Sequence, residues 1–142
     1  MHDEGLIAAI YEAGALPAQW SEVLERIGAR VGAKGANLIR GNSSGIQLLS
    51  SPSIAELTAE FARLGYNRDN TRVSRRLARA SHPGFLTDRD LHSVEEIHSL
   101  PMYRDFLTPH GADAGAATVV QGVEDDVLMV AVEGFPSHAA AW

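Results

Sequence analysis

The sequence predicts an α+β domain in which helices cover an antiparallel sheet. Two pairs of short strand candidates, each pair joined by a polar turn, lie at 36–50 and 114–134, and helical periodicity fills the stretches before and between them. The order is two helices, two strands, several helices and two strands, without the strand-helix-strand alternation of a parallel sheet. A chain of 142 residues, 45% hydrophobic and 21% charged, is long enough for one core and short for two, so a single domain over 1–142 is expected.

Asp3 or Glu4 can open a first helix on Leu6, Ile7, Ile10 and Tyr11, ended by Gly14 and Pro17. A second helix starts near Pro17. Its apolar residues Val23, Leu24, Ile27 and Val31 stand 3, 4, 7 and 11 positions after Trp20, a stripe that faces inward and leaves Glu22, Glu25 and Arg30 in water. Beyond the Gly32 to Gly35 break, "ANLIRG" and "GIQLLS" form a hairpin through Asn42-Ser43-Ser44. From Ser53 to Leu64 the positions Ile54, Leu57, Phe61 and Leu64 repeat at steps of 3, 4 and 3 behind a Ser53/Glu56 capping signature, and Gly65 stops the helix. A basic helix over 69–80, an extended "GFLTDRD" and a capped helix at "SVEEIHSL", with Ser93 and Glu96 at capping-box spacing, follow. In "LPMYRDFLTPHG", Pro101 suits a first helical turn, Tyr103 and Phe106 share one face, and Pro109 with Gly111 turns the chain toward the sheet. "AGAATVVQG" and "DVLMVAVEG" then pair around Val123 to Asp126. The ending "PSHAAAW" follows a core strand with no closing element, which predicts that the natural chain continues beyond Trp142.

Composition removes several function classes. Zero cysteines exclude disulfides, thiol nucleophiles and thiolate metal sites, and fit a reducing cytoplasm. A formal charge of -6 argues against nucleic-acid binding by this segment itself. No apolar run is long enough to cross a bilayer, and the chain opens on His2, Asp3 and Glu4 where a secretory signal carries positive charge, so no membrane partner is expected. "GARVGAKGANLIRG" is no phosphate loop, because Lys34 is followed by Gly35 and the segment runs into a strand; loop and turn glycines explain it. The 6 histidines lack metal-ligand spacing, and no Gly-x-Ser-x-Gly elbow occurs, so neither a metal, a cofactor nor a catalytic residue is assigned.

Arg72, Arg75, Arg76 and Arg79 stand at steps of 3, 1 and 3 and would gather along one helix face. Such a stripe could hold an anion or an acidic partner. The competing reading is a solvated charged face. If the stripe binds, replacing Arg75 and Arg76 by alanine should weaken binding while the melting temperature stays within a few degrees.

"YEAGALPAQWSEVLERIGARVGA", "FLTDRDL" and the Pro-x-Tyr-x-x-Phe-Leu-x-Pro-x-Gly of "PMYRDFLTPHG" together resemble the N-terminal sensor domain of LuxR-type transcription regulators. The resemblance covers most of 6–135. It implies a PAS- or GAF-like sheet with helices packed on it, a small-molecule ligand, a homodimer, and DNA contact only through a helix-turn-helix beyond Trp142. By that analogy Tyr66, Phe85, Met102, Tyr103 and Phe106 line a pocket; alternatively they fill the core. The Trp-x-x-x-Tyr and paired-Asp arrangement with which quorum-sensing members hold acyl-homoserine lactones is missing between 37 and 75, so lactone recognition does not carry over. A ligand-free scaffold that only pairs subunits is the second reading, and a small hydrolase or transferase the third.

Overall fold

A computed structural model describes residues 19–42, 45–121 and 127–135. The first predicted helix and both hairpin turns lie outside the described residues.

Helix α1 (Trp20–Arg30) lies on one face of a sheet made of β1 (Gly35–Asn42), β2 (Gly45–Ser50), β3 (Leu86–Thr87), β4 (Gly115–Gln121) and β5 (Val127–Glu133). The sheet has 5 strands in the order β2-β1-β5-β4-β3, every pair antiparallel. An α+β architecture is therefore observed. The two hairpins are adjacent in space because β1 pairs with β5, setting Asn37 opposite Ala131 and Ile39 opposite Met129.

Alternation along the strands sends successive side chains to opposite faces. Ala36, Ala116 and Val132 meet Leu24 and Phe135 under α1, with Trp20, Ile27 and Leu38 around them. Each large apolar side chain buried here contributes about 1.5–3 kcal/mol relative to exposure. Val31 lies outside the helix and is exposed, so the stripe ends one turn earlier than its period suggests. Close approach of α1 to β1 depends on glycine: a Cβ on Gly28 would stand 2.9 Å from the Gly35 Cα.

The opposite face carries α2 (Ala55–Arg63), α3 (Thr71–Ala78), α4 (Asp88–Leu91), α5 (Val94–Ser99) and a π-helical segment, Met102–Leu107. Phe61, Ile97, Met102, Tyr103, Phe106 and Leu107 form a second apolar cluster there. Ser53 does not cap α2. A single 3-10 turn, Pro52–Ile54, precedes that helix, and the Ser53 N–H donates to Glu25 Oε1 at 2.9 Å instead. "GFLTDRD" is extended only at Leu86–Thr87; Thr87 and Asp90 then form a reciprocal capping box that starts α4. The Ser93/Glu96 box forms as the spacing predicts. After Pro101 the chain is wider than an α-helix, the Thr108 N–H donating to the Tyr103 carbonyl at 2.8 Å, five residues back.

Candidate ligand cavity

The helical cover leaves a cavity of about 720 Å³ over the inner sheet face. Its floor is the alternate set Asn37, Ile39, Met129 and Ala131, and Leu57, Phe61, Phe106 and Leu107 close it from the helical side. The turn 67–70 and the first residues of α3 form a further wall. Asn70 shapes that wall: its side chain accepts from the Arg72 and Val73 N–H groups at 3.0 and 3.4 Å, so α3 begins where Thr71 and Arg72 face inward.

One end of this apolar chamber is charged. Arg72 Nε and Nη2 donate to the two oxygens of Asp88 at 2.7 and 3.0 Å, and Nη2 and Nη1 to those of Glu133 at 2.7 and 3.3 Å. A single guanidinium thus clamps carboxylates from α4 and from the end of β5. Glycine makes room for the clamp, since a Cβ on Gly115 would lie 2.6 Å from both Arg72 Nη2 and Glu133 Oε1. Burial works against the charge of Arg72, yet Asp88 and Glu133 outweigh it and hold its pKa well above the ordinary value. Burial also pushes Glu133 up from the usual carboxylate range, and Arg72 offsets only part of that shift.

Asp88 is also bound by two further donors. The Gly115 N–H donates to Oδ2 at 2.6 Å and the buried Tyr103 hydroxyl donates to Oδ1. Burial first, and the neighbouring Asp88 charge second, keep Tyr103 a phenol by raising its pKa. His92 stands behind this pair. Its Nδ1 lies 3.1 Å from the Asp88 carbonyl and 3.1 Å from the Tyr103 oxygen, and Nε2 lies 2.7 Å from the Thr71 hydroxyl. A carbonyl can only accept, so Nδ1 carries a proton, and in the neutral ring Nε2 accepts from Thr71. This neutral tautomer agrees with burial lowering the His92 pKa.

Of the five aromatic and Met positions expected in a pocket, Phe106 lines the cavity. Tyr66 packs beside it, ring centres 5.8 Å apart, partly buried against the second apolar cluster. Met102 and Tyr103 are buried within that cluster, Tyr103 touching the charged end through its hydroxyl. Phe85 is 41% exposed.

The arginines do not assemble into one anion site. Arg72 enters the cavity, Arg75 pairs with Glu96 at 2.6 Å, and Arg79 donates to the Asp90 carbonyl at 3.4 Å. Arg76 is fully buried and donates to the carbonyls of Ala117, Arg79, His82 and Gly84. The expectation that an Arg75/Arg76 double replacement would spare stability is therefore corrected: Arg76 holds a loop and a strand together. Asn37, Asp88 and Glu133 were not foreseen. The available signal was a polar residue interrupting an apolar alternation, as Asn37 does in "ANLIRG" and Glu133 in "AVEG".

Among the described residues no group of three His, Asp or Glu side chains could hold a metal, and no helix is long and apolar enough to cross a membrane. No family model matches the sequence, and no curated protein matches it. In three dimensions the chain is similar to CepR2 of Burkholderia cenocepacia, an N-acylhomoserine lactone dependent LuxR family transcription factor, with a TM-score of 0.66. The match covers 94% of this chain and 77% of that one at 12% sequence identity, and establishes a shared fold.

Proposed function

We propose that this chain is the ligand-sensing domain of a LuxR-type transcription regulator, PAS- or GAF-like in character, and not an enzyme. The observation that carries this reading is the cavity of about 720 Å³, in which apolar side chains of the sheet and helices face the polar turn 67–70 and the cluster of Arg72, Asp88 and Glu133. Its size lies within the range of small-molecule sites, and a few polar groups in an apolar enclosure are what orient a ligand. That the similar fold belongs to a ligand-dependent transcription factor supports the reading.

The wall elements suggest the mechanism. The turn 67–70, α3 and the π-helical segment touch the cavity from one side and the sheet from the other. A ligand that fills the space between them favours whichever arrangement of these elements it contacts best, and shifts the population accordingly. In the proposed regulator that shift alters pairing with a second copy and so the geometry of a helix-turn-helix carried elsewhere in the cytoplasmic protein. Thermal unfolding against a broad panel of small metabolites tests the first step. A true ligand at about 100-fold over its Kd adds about 2.7 kcal/mol to stability. A panel that leaves the melting temperature flat, repeated with Leu57→Ala to widen the chamber, would remove the sensing role.

A further inference from the structure

We propose that the cavity is selective for an amphipathic amine, its ammonium group set against Glu133 and its apolar body along Ile39, Leu57, Phe61, Phe106 and Met129. This inference rests on the reading of the cavity as a ligand site and names the class of ligand.

Charge carries the argument. The cavity is lined by Arg68, Asp69, Arg72, Asp88 and Glu133, one more carboxylate than cation. The imbalance is sharpest at the buried end, where Arg72 alone faces Asp88 and Glu133. His92 adds little positive charge there, because burial lowers its pKa and favours the neutral ring. A desolvated carboxylate left without a partner is costly, and a ligand cation relieves that cost.

Hydrogen-bonding capacity singles out Glu133 between the two carboxylates. Asp88 receives two donors on each oxygen: Arg72 and Tyr103 on Oδ1, Arg72 and Gly115 on Oδ2. It is saturated, since a carboxylate takes about four donors. Glu133 accepts one Arg72 N–H on each oxygen, fewer donors than Asp88 receives, which leaves it able to accept again. An anionic head group would meet both carboxylates across an already committed guanidinium. A neutral alcohol would leave the excess negative charge uncompensated. Burial raises the Glu133 pKa and so works against its ionised form, which an ammonium partner would favour.

The test compares three probes of equal chain length, n-octylamine, 1-octanol and octanoate, binding to the 142-residue chain and to Glu133→Gln. Affinities are read by thermal shift and calorimetry in about 0.5 M salt, where attraction to the acidic surface is screened. The expected result is at least about tenfold tighter binding of octylamine than of either other probe, a preference abolished in Glu133→Gln while octanol affinity is unchanged. If Glu133→Gln does not fold, the order among the probes on the unaltered chain decides. Octanol binding as tightly as octylamine, octanoate binding more tightly, or a preference that survives Glu133→Gln overturns the amine proposal and leaves the ligand-site reading standing. If none of the three binds, the amine proposal falls, and the broad metabolite panel decides the ligand-site reading.

Discussion

Arg76 Nε donates to the backbone carbonyl of Ala117 at 2.8 Å, tying α3 to β4 across 41 residues of chain. The same guanidinium gathers the carbonyls of Arg79, His82 and Gly84, so the loop leading to β3 is wound around one buried cation. Burial pulls the Arg76 pKa down, with Arg79 adding to the effect, but no carboxylate is used; four carbonyl dipoles hold the charge. Arg76→Ala is expected to cost about 3 kcal/mol, because it removes a buried side chain and every bond by which it ties the loop to β4. Arg75→Ala removes a half-exposed pair with Glu96 and should cost about 1 kcal/mol or less. Urea denaturation of the two variants side by side distinguishes them, and equal losses would refute the buried-anchor role.

Tyr103→Phe keeps the ring in its apolar cluster and deletes only the hydroxyl that donates to Asp88. A loss of about 1–3 kcal/mol is expected, the cost of leaving a buried charged acceptor short of one donor. A variant as stable as the parent would mean that Asp88 draws no net benefit from the phenol.

Acid should weaken the fold in two successive windows. His92 has its pKa lowered from 6.5 by burial, so the unfolded chain binds this proton more readily. Its contribution is complete above pH 6.5 and declines as the pH falls below that value toward the lower folded pKa. Glu96 is held down from 4.5 to about 2 by Arg75 and by the Ser93 N–H, so its contribution is complete above 4.5 and disappears between 4.5 and about 2. Denaturation curves of His92→Gln should lack the upper window while keeping the lower one. An unchanged slope just below pH 6.5 in that variant would place the titration elsewhere.

Gly115→Ala tests the charged end of the cavity directly. The new methyl would fall 2.6 Å from Arg72 Nη2 and Glu133 Oε1 and 2.8 Å from the Val132 carbonyl, the last of which belongs to the sheet. Overpacking of this kind costs about 1–3 kcal/mol. Any ligand anchored at Glu133 should also bind less tightly, whereas Gly41→Ala, with nothing within 4 Å of the added carbon, should affect neither property. Calorimetry on the two alanine variants reads both effects.

The sequence by itself determined the elements whose causes are local. The period of Trp20, Val23, Leu24 and Ile27 specified α1, the Ser93 and Glu96 pair specified the start of α5, and positive φ at Gly65 and Gly111 matches the stops expected there. The short apolar strands of the first hairpin and the β-branched runs of the second, with turn residues between them, were enough for an α+β layout. Tertiary structure decided which polar residues turn inward. On α3, Arg72 and Arg76 stand one helical turn apart and face the sheet, while Arg75 faces α5, and no wheel diagram of four arginines distinguishes those sides. The partners that tie them to other elements lie 16 to 61 residues away, on α4, α5, β4 and β5. The same holds for Glu133, which reads as the polar end of a strand until β1, β4 and α3 close around it. Periodicity and capping are set by neighbours within one turn of chain, whereas the pairing that makes a buried charge tolerable, and the empty space beside it, exists only once distant segments have packed.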